Sequence, residues 1–288
     1  MSAMSESRSY KQIVVHGVGL IGGSIAAAAN HRWPECRITG IGRRAERLQA
    51  AQDAGLLTDW AHCLSDTAVD PNAIVVICLP VDLIAAAVID AAEATPDGVL
   101  ITDAGSVKQS IQDGVVRSTT AATQFVGAHP IAGSEQSGFE YADSELFVDR
   151  PCIVTSSVAG ADRERRCCNF WLDLGSRVSI LTAQEHDRIL ALTSHLPHVM
   201  AAITTSCAEQ ADLNFSGTGF RDTTRVAAGD SQLWQQILCS NRSQLLKAIG
   251  QAEAGLAELS AAVRDDNHEA VSTILNHAAQ LRRSLEES

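Results

Sequence analysis

At 288 residues, 45% apolar and 19% charged, the chain has material for one large folded unit or two ordinary ones, and its composition excludes wholesale disorder. A net charge of −12, with lysine only at Lys11, Lys108 and Lys247, argues against a broad nucleic-acid surface, which needs clustered cations. Eight scattered cysteines without a CxxC, a polar N-terminus and no apolar run of the ~18 residues a membrane helix needs point to reduced thiols, no structural metal, no membrane span and a cytoplasmic location. The first element is the short apolar run Ile13-Val14-Val15, followed at once by Gly17-Val18-Gly19-Leu20-Ile21-Gly22 and an alanine-rich helix former, Ala26–Ala29. Strand, GxGxxG and helix in that order form the dinucleotide fingerprint. Gly17 serves the tight turn, Gly19 the close approach of backbone to pyrophosphate and Gly22 the packing of helix on strand, with Leu20 and Ile21 at the helix start.

The second predicted strand, Arg37–Ile41, ends at Gly42-Arg43-Arg44. An NAD enzyme usually carries Asp or Glu at this point to bond the ribose 2′-hydroxyl. A missing carboxylate followed by Arg43 and Arg44 favours a 2′-phosphate, hence NADP, with NAD as the alternative. Strand Ala73–Leu79 ends at Pro80, placing Leu79 and Pro80 at the cofactor crevice, and Leu83–Ala92 reads as a helix. Strand Val99–Thr102 closes with Asp103-Ala104-Gly105-Ser106-Val107-Lys108, and Asp103 is expected to face the cofactor. Phe125-Val126 leads into Gly127–Gly138, GAHPIAGSEQSG, whose Gly and Pro content reads as a loop carrying His129 and Glu135. Cys152–Thr155, helix Arg163–Leu174 and strand Val178–Leu181 complete an alternation that implies a parallel, doubly wound sheet. In such sheets ligands bind beyond the carboxyl ends of the strands, so the glycine, Asp103–Lys108 and His129 loops converge on one crevice.

After Ala183 only helices are predicted. The expected fold is therefore α/β: a Rossmann-like doubly wound sheet over residues 1–182 and an all-α dimerisation domain over 183–288. Gln184–Gln210 reads as one long helix kinked at Pro197, with His195 and His198 on one face and His186 about half a turn away. Arg221 and Arg225, at i and i+4, share a face at a glycine-rich helix start. Ser231 is expected to cap a helix of some 30 residues, striped by Leu233, Ile237, Leu245, Ile249, Leu256, Leu259 and Val263, and Asp266-Asn267 to restart the last helix. A helix ~45 Å long outspans a small domain, so its stripe is expected to meet a second subunit in a homodimer. A neutral His129 at the crest of the sheet can accept a proton from a substrate hydroxyl, and Arg225 or Arg221 can clamp a carboxylate.

Five ordered stretches, Gly17–Ser24 (GVGLIGGS), Asp103–Lys108 (DAGSVK), Gly127–Gly138 (GAHPIAGSEQSG), Ser194–His198 (SHLPH) and Gly219–Arg225 (GFRDTTR), resemble the prephenate and arogenate dehydrogenases of tyrosine biosynthesis from about Ile13 to Trp234. The resemblance implies NAD(P)-dependent oxidative decarboxylation of prephenate to 4-hydroxyphenylpyruvate, or of arogenate to tyrosine. It also implies that His129 takes the proton of the ring hydroxyl, that Ser106 touches both that hydroxyl and His129, and that Arg225 binds a substrate carboxylate. Glu135, His186, His195, His198, Arg221 and Trp234 fall on positions lining the same pocket, and dimerisation runs through the helical half. No room remains after Ser288 for an ACT domain or before Tyr10 for a chorismate mutase, so tyrosine feedback by those routes is not expected. The rival classes are a β-hydroxyacid dehydrogenase, which would use a lysine in the helical half, and a non-enzymatic NADP sensor.

Overall fold

A computed structural model describes residues 9–133 and 136–285. The chain begins β1 Gln12–His16, α1 Leu20–Arg32, β2 Arg37–Ile41, α2 Ala45–Asp53, β3 Asp59–Ala61, β4 Ile74–Ile77, α3 Val81–Ala94 and β5 Leu100–Asp103. It continues with α4 Gln109–Val115, α5 Thr119–Gln124, β6 Phe125–Val126, β7 Ala128–Pro130, β8 Pro151–Thr155, α6 Ala161–Asp173 and β9 Arg177–Leu181. Six strands form one parallel sheet in the order β3-β2-β1-β4-β5-β6, the arrangement of two mononucleotide-binding halves meeting between β1 and β4. β1 and β4 are short and almost wholly apolar because helices cover both faces, leaving no face for polar alternation. One core layer lies under α1 and α6 and is anchored by Phe170 and Trp171. The other lies under α3 and α4.

A second, three-stranded sheet, β7-β8-β9, differs from the expected single sheet. β7 runs antiparallel to β8, with His129 opposite Ile153, and β8 is parallel to β9. The expected loop around His129 is thus corrected. Ala128–Pro130 is a buried strand, because Ala and His suit a covered position once their backbone groups are paired: His129 lies opposite Ile153 of β8, while Ala128 N–H and C=O meet the Asp103 carboxylate and the Lys108 ammonium. β3 also escaped the sequence reading, being only three residues long.

Helices alone follow: α7 Ala183–Leu190, α8 Leu196–Ser206, α9 Thr218–Thr224, α10 Ser231–Ser240, α11 Arg242–Arg264 and α12 His268–Ser284. α7 opens on a capping box, in which the Thr182 hydroxyl accepts from Glu185 N–H while the Glu185 carboxylate accepts from Thr182 N–H. Between α7 and α8 the chain stays helical but widens to a π turn over Ala191–His195, and this takes the place of the kink expected at Pro197. The 30-residue helix is likewise corrected to two, α10 and α11, broken at Asn241, whose side chain bonds Asp187 and His195. Asp230 caps α10 in place of Ser231, its Oδ1 accepting from Gln232 and Leu233 N–H. Of the expected stripe, Ile237 and Leu245 are buried, whereas Leu233, Leu256 and Val263 are exposed. Among the described residues no helix is long and apolar enough to cross a membrane.

Candidate active site

The glycine loop meets the geometric demands of a pyrophosphate cradle. Gly17 has φ of 100°, and a Cβ there would lie 2.4 Å from the carbonyl oxygen of Cys78 at the end of β4. A Cβ at Gly22 would lie 2.1 Å from the oxygen of Gly17, so only glycine lets α1 approach β1 this closely. A Cβ at Gly19 would meet nothing within 4 Å, and no described side chain caps the N-terminus of α1, which has no acidic residue in its first turn. The backbone at Gly19, Leu20 and Ile21 therefore offers an open, positively polarised surface that fits a dinucleotide phosphate. Leu79 packs against Gly17 and Pro80 starts α3, so both stand beside this loop. Arg43 and Arg44 are exposed between β2 and α2.

Asp103 does not face this crevice, which corrects the expectation of a side-chain contact with the cofactor. Its carboxylate is fully buried and is consumed by three partners: Gly105 N–H (2.9 Å), Ala128 N–H (3.0 Å) and the Lys108 ammonium. Lys108 Nζ donates also to the carbonyl of Ala128 (2.8 Å). An ion pair thus ties the loop after β5 to the residue just ahead of His129.

His129 is only 9% exposed. Its Nδ1 lies 2.8 Å from Nε2 of His186, whose Nδ1 lies 2.8 Å from Oδ1 of Asp187. Asp187 also accepts from the N–H groups of Lys108 (2.8 Å) and Gln109 (3.0 Å). His186 has no exposed surface, so the expectation that it lines the pocket is corrected: it backs His129 from behind. The π turn explains why periodicity did not group the helical histidines. His186 and His195 are nine residues apart, half a turn in a regular helix, and the extra residue of a π turn rotates His195 back by about 100°.

His195 receives a hydrogen bond at Nδ1 from the Asn241 amide (3.2 Å), and His198 stacks on Trp234 with centroids 3.6 Å apart and planes 13° apart. His198 Nδ1 is buried with no hydrogen-bond partner among the described residues. These two histidines and Trp234 do assemble into one cluster. Ser106 is half-buried in its loop, and among the described residues it makes no hydrogen bond to His129. Arg221 and Arg225 are exposed on α9 and on the 3-10 turn after it, which packs against α8. Glu135 lies outside the described residues; a Cβ at Gly133, two residues before it, would lie 3.9 Å from Ile21 Cδ1 in the first turn of α1. Among the described residues no group of His, Cys, Asp and Glu could hold a metal ion.

Burial, then His186, Lys108 and His195, hold the His129 imidazole far below the ordinary histidine value of 6.5, so it is neutral near pH 7. Burial likewise lowers His186, and lowers His195 to about 4. Depressed folded values leave the unfolded chain binding more protons, so stability is complete above pH 6.5 and falls as pH drops toward 4. Urea midpoints measured from pH 7.5 to 4.5 are expected to fall steadily below pH 6.5. A flat profile would contradict the neutral, buried state of these rings.

The comparisons with known proteins agree with this architecture. The family model for the prephenate dehydrogenase nucleotide-binding domain matches residues 25–180, and that for the prephenate dehydrogenase dimerization domain matches residues 182–277. A cyclohexadienyl dehydrogenase of Zymomonas mobilis is 32% identical over 266 residues, 88% of this chain and 89% of the relative. A prephenate dehydrogenase of Lactococcus lactis is 29% identical over 285 residues, 96% of this chain and 78% of the relative. The solved prephenate dehydrogenase of Aquifex aeolicus, in complex with hydroxyphenyl propionate and NAD+, superposes with a TM-score of 0.89 at 26% identity, covering 97% of this chain and 100% of that one. With a nucleotide-binding and a helical half both matched in order over most of its length, the chain belongs to the prephenate dehydrogenase family.

Proposed function

We propose that the protein oxidises and decarboxylates prephenate, with His129 as the base. The observation that supports this reading is the buried imidazole of His129, bonded to His186 and carried on β7 directly after the parallel sheet whose first turn is the glycine loop. When bound, a nicotinamide supplies the hydride acceptor. The His129 ring nitrogen not engaged by His186 takes the proton of the ring hydroxyl as hydride leaves the same carbon. The bond to the ring carboxylate then breaks, its electrons aromatise the ring, carbon dioxide departs and the phenol oxygen regains the proton from His129. Arg225, with Arg221 one turn before it, is assigned the substrate carboxylate, and the ring cluster of His195, His198 and Trp234 is assigned a wall of the pocket.

Prephenate is preferred to arogenate because the candidate residues on the helical half, Arg221, Arg225, His195, His198 and Trp234, suit carboxylates. The test is initial rates for both substrates, each with NAD and NADP. The highest kcat/KM is expected for prephenate with NADP. A higher value for arogenate overturns the substrate, and cofactor binding without turnover of either overturns the enzyme.

NADP preference rests on Gly42. A Cβ there would find Leu48 at 3.5 Å, an ordinary contact, so packing does not require glycine at this position. The absence of a side chain leaves the exposed Arg43 and Arg44 available to a 2′-phosphate without a competing carboxylate. Gly42→Asp is expected to lower the NADP/NAD ratio of kcat/KM by about 100-fold or more, since like charges held together cost several kcal/mol. An unchanged ratio would remove this site from cofactor choice.

The domain boundary is placed at Thr182, between β9 and the α7 capping box. Exposed Leu246, Leu256, Val263, Leu275 and Leu281 on α11 and α12 support a homodimer through the helical half. Eight cysteines without a disulfide suit a cytoplasmic enzyme.

A further inference from the structure

We propose that His186 and Asp187, two adjacent residues of the helical half, act as positioning residues that fix the tautomer of His129, leaving Nδ1 protonated and Nε2 bare toward the substrate. The inference rests on His129 being the base.

The hydrogen bonds allow one direction of donation. The Asp187 carboxylate already accepts from Lys108 N–H and Gln109 N–H, and an ionised carboxylate can only accept. His186 Nδ1, 2.8 Å from Oδ1, therefore carries its proton toward Asp187. A neutral imidazole has one donor and one acceptor, so His186 Nε2 is bare. His129 Nδ1, 2.8 Å away, must then donate to it, and the remaining nitrogen of a neutral His129 has only a lone pair. A base must present that lone pair; the opposite tautomer would present N–H to the substrate hydroxyl and stall proton transfer.

The rest of the surroundings hold this arrangement in place. The Thr182–Glu185 capping box seats the first turn of α7, and the Asn241 amide donates to the Asp187 carbonyl (2.7 Å). Lys108 and His195 are the other ionisable groups facing His129. Lys108 is committed to Asp103, and His195 is held neutral by burial. Neither binds His129 Nδ1 in place of His186.

Nitrogen-15 NMR of the histidine-labelled full-length protein tests this without any variant. Nine histidines contribute, and comparison with His129→Asn assigns the signal of interest. His129 is expected to show a pyrrole-type Nδ1 and a pyridine-type Nε2 at pH 7.5. The reverse pattern overturns the proposal whatever the kinetics. His186→Phe keeps the ring but removes its acceptor. It is expected to mix the two His129 tautomers and lower kcat about 10- to 100-fold, the scale of partners that orient a reactive histidine, with KM for prephenate little changed. His186→Gln, which restores an acceptor, is expected to recover part of the loss. Unchanged kcat and tautomer in His186→Phe overturn the relay. Should that variant not fold, the wild-type spectrum decides. Full activity in His129→Asn would instead sink the assignment of the base, a result the tautomer measurement does not depend on.

Discussion

His129→Asn is expected to lower kcat by about 10²–10⁴-fold, the contribution of a positioned general base. Asparagine is the informative replacement. Its amide nitrogen reaches about as far as Nδ1 and can still donate to His186 Nε2, while nothing remains at the position of Nε2. The buried chain from Asp187 outward thus stays satisfied, so melting temperature and affinity for the nicotinamide dinucleotide are expected to stay near their native values. Steady-state rates and cofactor titration on the same preparation check both halves of the claim. A native kcat would mean that the proton leaves by another route. A large fall in kcat together with lost cofactor binding would mean instead that His129 shapes the crevice. Alanine could not separate these cases, because it would also leave His186 Nε2 without a donor in a fully buried position.

What could be read from the sequence was what is local. Gly17, Gly19 and Gly22 sit between a five-residue strand with the apolar run Ile13-Val14-Val15 and an alanine-rich helix, and each glycine's role follows from its spacing alone. The alternation of strands and helices implied a parallel, doubly wound sheet, since parallel neighbours need crossovers. Pairings across distance were not legible. His129 and His186 are 57 residues apart and meet only because the helical half packs against the end of β7. A π turn shifted the phase of His195 relative to His186, and π turns leave no mark in an apolar pattern.

Some signals were present and pointed elsewhere. Lys108 is one of only three lysines and stands among small and apolar residues, which marks a buried cation seeking a carboxylate. Asp103 in the same stretch was the obvious partner, yet its place at a strand end suggested the cofactor. The adjacent pair His186-Asp187 similarly offered a carboxylate to orient an imidazole. The long amphipathic stripe was expected to meet a second subunit, and the structure divides its members between two environments. Its buried members, Ile237 and Leu245, face their own chain, and the break at Asn241 follows from that side chain turning inward to bond Asp187 and His195.

Replacing Lys108 is expected to have the largest effect on stability. The Asp103 and Lys108 side chains are 0% and 1% exposed, so Lys108→Met would leave a carboxylate in the core with two backbone N–H groups and no counter-charge. Breaking a buried pair from one side costs about 3–5 kcal/mol, a fall in melting temperature on the order of 10 °C. The double variant Asp103→Asn, Lys108→Met removes both charges while the asparagine oxygen still accepts from Ala128 N–H, so it is expected to be more stable than Lys108→Met alone. Thermal melts of the two single variants and the double form a cycle. Costs that simply add would show that the groups act independently and that burial of the pair is incidental. The activity of the double variant completes the argument. Lys108 holds the carbonyl of Ala128, the residue before the base, so a restored fold without the ammonium should still show a lowered kcat, because β7 has lost the contact that sets His129 at its working position.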